Sequence, residues 1–138
     1  MKPSRVALLL LPLAALTACG SSVVPSADQA HTMACRSYVL TVGDTDRTDV
    51  QGLIDEAPVS MDDVNSDTTM VKVRTAAAAS GATAGLSAGD FTRFRDLVEV
   101  IDGLPAKATV EQDGSSQLAA NTLAPLSAAV AAVHKLCY

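Results

Sequence analysis

The first nineteen residues set what the rest of this chain can fold into, because they split it into a leader and a folding unit. Lys2 and Arg5 precede an apolar run from Val6 to Leu16, eleven residues long. A helix needs about 20 apolar residues to cross a bilayer, so this run is too short to span. A positive start followed by a short apolar core is the pattern of a secretory signal. Thr17 and Ala18 then place small side chains next to Cys19, and Gly20 to Pro25 is short enough to serve as a tether.

The segment Leu16-Thr17-Ala18-Cys19 resembles the lipobox of bacterial lipoproteins. The resemblance covers the first twenty residues. It implies that the Cys19 thiol takes a diacylglyceryl group, that the chain is cut between Ala18 and Cys19, and that the new amino end receives a further acyl chain such as palmitate. Two acyl chains hold a protein stably on a membrane where one does so only marginally. Gly20 stands where some two-membraned bacteria use aspartate for inner-membrane retention. The expected organisation is a signal peptide over 1–18, a lipidated cysteine and tether over 19–26, and a folded domain over 27–138. The expected location is the extracytoplasmic face of the cell membrane or outer envelope, with the membrane as partner through Cys19.

A mature chain from Cys19 to Tyr138 has 120 residues, enough for one domain with a modest core. Removing Lys2 and Arg5 leaves eight basic residues against fifteen acidic ones, a net charge of −7. Such a surface excludes nucleic acid as a partner, because phosphate binding needs a basic field.

Once Cys19 is lipidated, Cys35 and Cys137 are an even pair in an oxidising compartment. No C-x-x-C spacing suggests a redox motif. A disulfide between them would close a separation of 102 residues and link the first helix to the last. The chain-entropy argument puts such a closure at roughly 4.7 kcal/mol. That matters in a domain whose aromatics are Tyr38, Phe91, Phe94 and Tyr138.

Beyond the tether the patterning is helical. Ser26-Ala27-Asp28-Gln29 reads as a capping box, followed by His31, Cys35, Tyr38, Val39 and Val42 at helical spacing and a stop at Gly43. Asp44 to Asp49 reads as a polar turn. A short helix then carries Val50, Leu53 and Ile54 until Pro58 ends it. Ser60-Met61-Asp62-Asp63 caps a further helix running to Ala76–Ala79. Its residues 68–75 alternate enough to suit a strand, but the cap and the alanines favour helix. Gly81, Gly85 and Gly89 mark a connection. Phe91, Phe94, Leu97, Val98 and Ile101 then form one helical face, stopped by Gly103 and Pro105. The last helix is predicted to start near Ser115 or Ser116, with Pro125 kinking or restarting it. Leu126, Val130, Val133 and Cys137 turn inward. The expected fold is all-α, a bundle of four to five helices stapled between the first and last, which would run antiparallel.

Candidate chemistry is thin. Gly85-Leu86-Ser87-Ala88-Gly89 matches G-x-S-x-G, and Asp96 or Asp102 and His134 follow in triad order. No apolar strand precedes Gly85, however, and Ser87 with Asp90 reads more simply as a helix cap. His31 and His134 each lie about one turn from a cysteine, but antiparallel helices would hold them roughly 10 Å apart, too far for one ion. Asp44 to Asp49 lacks the glycine and closing glutamate of a calcium loop. Asp55, Glu56, Asp62, Asp63 and Asp67 read as solvated helix ends. Arg93 and Arg95 read as the wet side of their helix, and Phe91 with Phe94 as core. Neither a metal nor a cofactor is expected.

The expected function is a non-enzymatic binding or interaction module on the envelope, its partner an unknown envelope protein or small ligand. The alternatives are a carrier of an apolar ligand between helices, a prophage-type exclusion lipoprotein and, remotely, a serine hydrolase at Ser87.

Overall fold

A computed structural model describes residues 23–138; the leader, the lipobox segment and Cys19 lie outside the described residues. The described chain forms six helices and a small sheet. These are α1 (Ala27–Thr41), α2 (Asp44–Asp55), β1 (Val59–Ser60), α3 (Met61–Ser66), α4 (Thr68–Gly81), α5 (Ala88–Gly103), β2 (Thr109–Val110), β3 (Ser116–Leu118) and α6 (Ala120–Cys137). The fold is the expected helical bundle. α4 packs against α1 and α5, α5 against α6, and α6 closes back onto α1, while α2 lies across α6 and α4.

Each helix start has a local cause. The Ser26 hydroxyl accepts from the Gln29 N–H at 3.3 Å while the Gln29 side chain accepts from the Ser26 N–H at 3.1 Å, completing the predicted capping box. The turn expected at Asp44–Asp49 is instead the first half of α2. Gly43 has no side chain to cap with, so the Asp46 carboxylate reaches back to the Gly43 N–H at 2.8 Å. The single helix expected after Ser60 is two, because Asp67 stands in extended backbone between α3 and α4. There Asp67 caps α4 by accepting from the N–H groups of Thr69 and Met70. Residues 68–75 are helical, as predicted.

The sheet is a feature the sequence pattern did not announce. Its order is β1-β3-β2 with both pairings antiparallel, Val59 opposite Leu118 and Thr109 opposite Gln117. The tight connection between β2 and β3 uses Gly114 at φ +84°, a left-handed conformation that glycine adopts without strain. Ser116 thereby belongs to a strand, and α6 begins at Ala120 rather than at the serines. Pro125 sits inside α6.

The core is filled by Phe94, Leu97, Leu104, Leu118, Leu123, Leu126 and Val133, all essentially inaccessible to solvent. Ala30 and Ala34 on α1 and Ala76 and Ala77 on α4 are also buried, so small side chains let these two helices approach closely. The α4–α5 contact is also tight: a Cβ on Gly81 would stand 3.1 Å from the Cβ of Phe94. Ser80 is fully buried and its hydroxyl has no hydrogen-bond partner.

Candidate functional site

The cysteine pair is where the sequence placed it. Cys35 and Cys137 form a disulfide with 5.0 Å between their α-carbons. It joins the middle of α1 to the last turn of α6. Further along, Ser127 of α6 donates to the Gln51 side chain of α2 at 3.2 Å. Helix α6 is thus tied both to α1 and to α2. The Tyr138 hydroxyl adds a second tie by donating to the Val42 carbonyl at 3.1 Å, where α1 ends. Tyr38 lies beneath this junction, and burial, with Tyr138 and Asp46 nearby, pushes its phenol up to about 12.

The G-x-S-x-G segment does not build a nucleophile. Ser87 is the N-cap of α5, its hydroxyl accepting from the Asp90 N–H at 3.1 Å. The expected cap is present, but the Asp90 carboxylate does not complete a box. It turns to His31 of α1 instead, 3.0 Å from Nδ1. Asp102 lies fifteen residues along α5 from Ser87, roughly 22 Å at the rise of a helix. There Asp102 is engaged by Arg74, whose Nη2 donates at 2.8 Å; that hydrogen bonding, with the guanidinium charge behind it, holds the carboxyl below its ordinary value. Asp96 accepts from Arg95, and His134 stacks on Tyr138 with ring centroids 4.3 Å apart. The would-be triad residues each have other partners.

Gly85 has a different role, one that the motif concealed. It adopts φ +85° and lies directly on the tether: a Cβ built there would stand 2.4 Å from the Pro25 carbonyl oxygen and 3.3 Å from a Val24 methyl. The loop between α4 and α5 therefore clamps the chain just before α1 begins. No sequence pattern links residues sixty apart in this way; the left-handed glycine is the only local trace. The His31–Asp90 pair, also long-range, fastens the same corner of the domain.

The acidic segments serve structure. Asp46 pairs with Lys72 at 2.7 Å, and that ammonium together with the Gly43 N–H holds the Asp46 carboxyl below its ordinary value. Asp67 is a cap. Among the described residues, no group of three or more His, Cys, Asp or Glu side chains is placed to hold a metal ion. Arg95 contacts Glu99 at 3.3 Å and lies over the Phe91 ring, 5.8 Å from its centroid. Phe91 is a correction to the sequence reading: it is 46% exposed, whereas Phe94 is wholly buried. The opposing wall, Ala77, Ala78, Gly81 and Ala82, is too small to cover it and leaves an open groove of about 230 Å³.

Two further concavities are open to solvent. A cleft of about 260 Å³ between α2 and α6 is lined by Arg47, Gln51, Ile54, Ser127 and Val130. A broad hollow of about 570 Å³ lies where the tether enters α1, between Val23, Pro25, Gln29 and Met33. No helix among the described residues is long and apolar enough to cross a membrane. Comparison with protein-family models, curated proteins and solved structures finds no match to this chain.

Proposed function

We propose that this chain is a bacterial envelope lipoprotein, held to a membrane by lipid on Cys19, whose disulfide-stapled domain works as a non-enzymatic binding module. The division of the three cysteines carries the reading. The Cys35–Cys137 bridge consumes two of them, a pairing typical of oxidising compartments outside the cytoplasm. The third stands at the end of the lipobox-like segment, four residues before Val23, where the clamped tether begins. Export, anchoring and oxidation form one consistent itinerary for the chain.

The non-enzymatic part rests on the engagement of Ser87, Asp102 and His134 with other partners. The carrier alternative has less support. The interior is occupied by large side chains, and the α2–α6 cleft of about 260 Å³ falls below the roughly 300–1,000 Å³ usual for ligand pockets. The hollow of about 570 Å³ is open surface along the tether and α1, not a cavity between helices. The test is detergent phase partitioning of the protein expressed in a bacterial host. The wild type is expected in the detergent phase and Cys19→Ala in the aqueous phase with an unchanged melting temperature. Detergent partitioning by Cys19→Ala would reject the anchor.

A further inference from the structure

We propose that the outer face of α1 lies flat on the anionic lipid surface to which Cys19 is anchored, so that the domain has a fixed orientation on the membrane. The inference rests on the lipid anchor proposed above and adds the face that meets the bilayer.

Tether length is the first argument. Gly85 clamps Pro25, so only the segment from Cys19 to Pro25 separates the lipid from the domain. Six residue steps reach at most about 20 Å. A domain of this size has a radius of gyration near 13 Å, so its full width exceeds that reach. The corner formed by Pro25, the start of α1 and the α4–α5 loop must therefore stay close to the headgroups. Val23 and Val24 at this corner are 86% and 65% exposed.

Charge decides which face follows that corner down. The domain is acidic, yet residues 29–43 contain no aspartate or glutamate. The solvent-facing side of α1 instead presents Met33, Arg36 and Leu40 in register, with Met33 56% and Leu40 78% exposed. Two apolar side chains flanking one guanidinium, on a helix free of acids past its first turn, suit the interface of an anionic bilayer. Asp28 borders the hollow with Met33 and stays near the lipid in either pose; standing α1 on end would add Asp90, at the first turn of α5, to it. α2, α3 and α5 all carry acidic residues; α4 and α6 carry none, but Lys72 and Arg74 of α4 are paired with Asp46 and Asp102, and α6 exposes no large apolar side chain.

The chain contains no tryptophan, so single substitutions give clean reporters. Lipidated Val23→Trp, Leu40→Trp and Val110→Trp proteins would be reconstituted on phosphatidylcholine–phosphatidylglycerol vesicles with brominated acyl chains. All three positions are exposed, so folding is preserved. The expected result is that Val23→Trp and Leu40→Trp lose emission, while Val110→Trp at the end of β2 keeps it. Adding Arg36→Glu to Leu40→Trp should restore emission while the protein still floats with the vesicles. Quenching of Val23→Trp alone, with flotation intact, would overturn the flat orientation and leave the anchor standing. Equal quenching at all three positions would overturn a fixed orientation. Loss of flotation by all three proteins would overturn the anchor, and the orientation with it.

Discussion

Gly85 lies so close to Pro25 that a Cβ on it would stand 2.4 Å from the Pro25 carbonyl oxygen. Gly114 shares the left-handed backbone, at φ +84°, but has no atom within 4 Å of that point. Alanine at Gly114 should therefore cost only the backbone penalty, about 1–2 kcal/mol. Gly85→Ala should cost clearly more, because the tether must also move. Thermal unfolding of the two variants checks this; equal losses would mean that the Pro25 contact carries no energy.

Cys35 and Cys137 should behave as one unit. Cys35→Ala and Cys137→Ala are each expected to lower stability by about 2–5 kcal/mol, and the double variant by no more than either single change. Denaturant unfolding of all three, under oxidising conditions, provides the comparison.

Acid should weaken the domain through two surface carboxylates. Lys72 lowers Asp46 and Arg74 lowers Asp102, each from an ordinary 3.8. A carboxyl group whose folded value is depressed stabilises the fold above its unfolded value. That stabilisation disappears as pH falls through the folded value. Stability should thus decline as pH drops below about 4. Lys72→Met and Arg74→Met should each flatten the decline, by well under about 1 kcal/mol since both pairs are solvent-exposed. Melting temperatures measured across that range would reveal it.

Phe94 and Phe91 should separate sharply despite standing three residues apart on α5. Phe94→Ala is expected to cost about 3–5 kcal/mol, as an emptied core position. Phe91→Ala should cost about 1 kcal/mol or less, mostly its contact with the Arg95 guanidinium. Chemical denaturation of the two variants separates these cases.

Much of this fold was legible because it depends on local chemistry. Ser26 and Ser87 announce helix starts through hydroxyls that reach three residues ahead, and Cys35 and Cys137 follow from counting. Where the reading went astray, the deciding partner was remote or lacked a signal. Gly43 offers no capping side chain, so the start of α2 looked like a turn. Phe91 keeps the helical spacing of a core residue, but spacing cannot reveal that the facing wall is alanine and glycine. The strands are two or three residues long, too short for alternation to register. Ser115 and Ser116 looked like a helix start until the sheet claimed Ser116. The Gly85–Pro25 clamp was not readable, since it joins residues sixty positions apart.

The most direct test of the account is the intact mass of the protein isolated from the envelope of a bacterial host. The account predicts a chain beginning at Cys19, heavier by a diacylglyceryl group with or without a further acyl chain, and lighter by the two thiol hydrogens of Cys35 and Cys137. A chain that retains its leader, or begins elsewhere without added lipid, would contradict it.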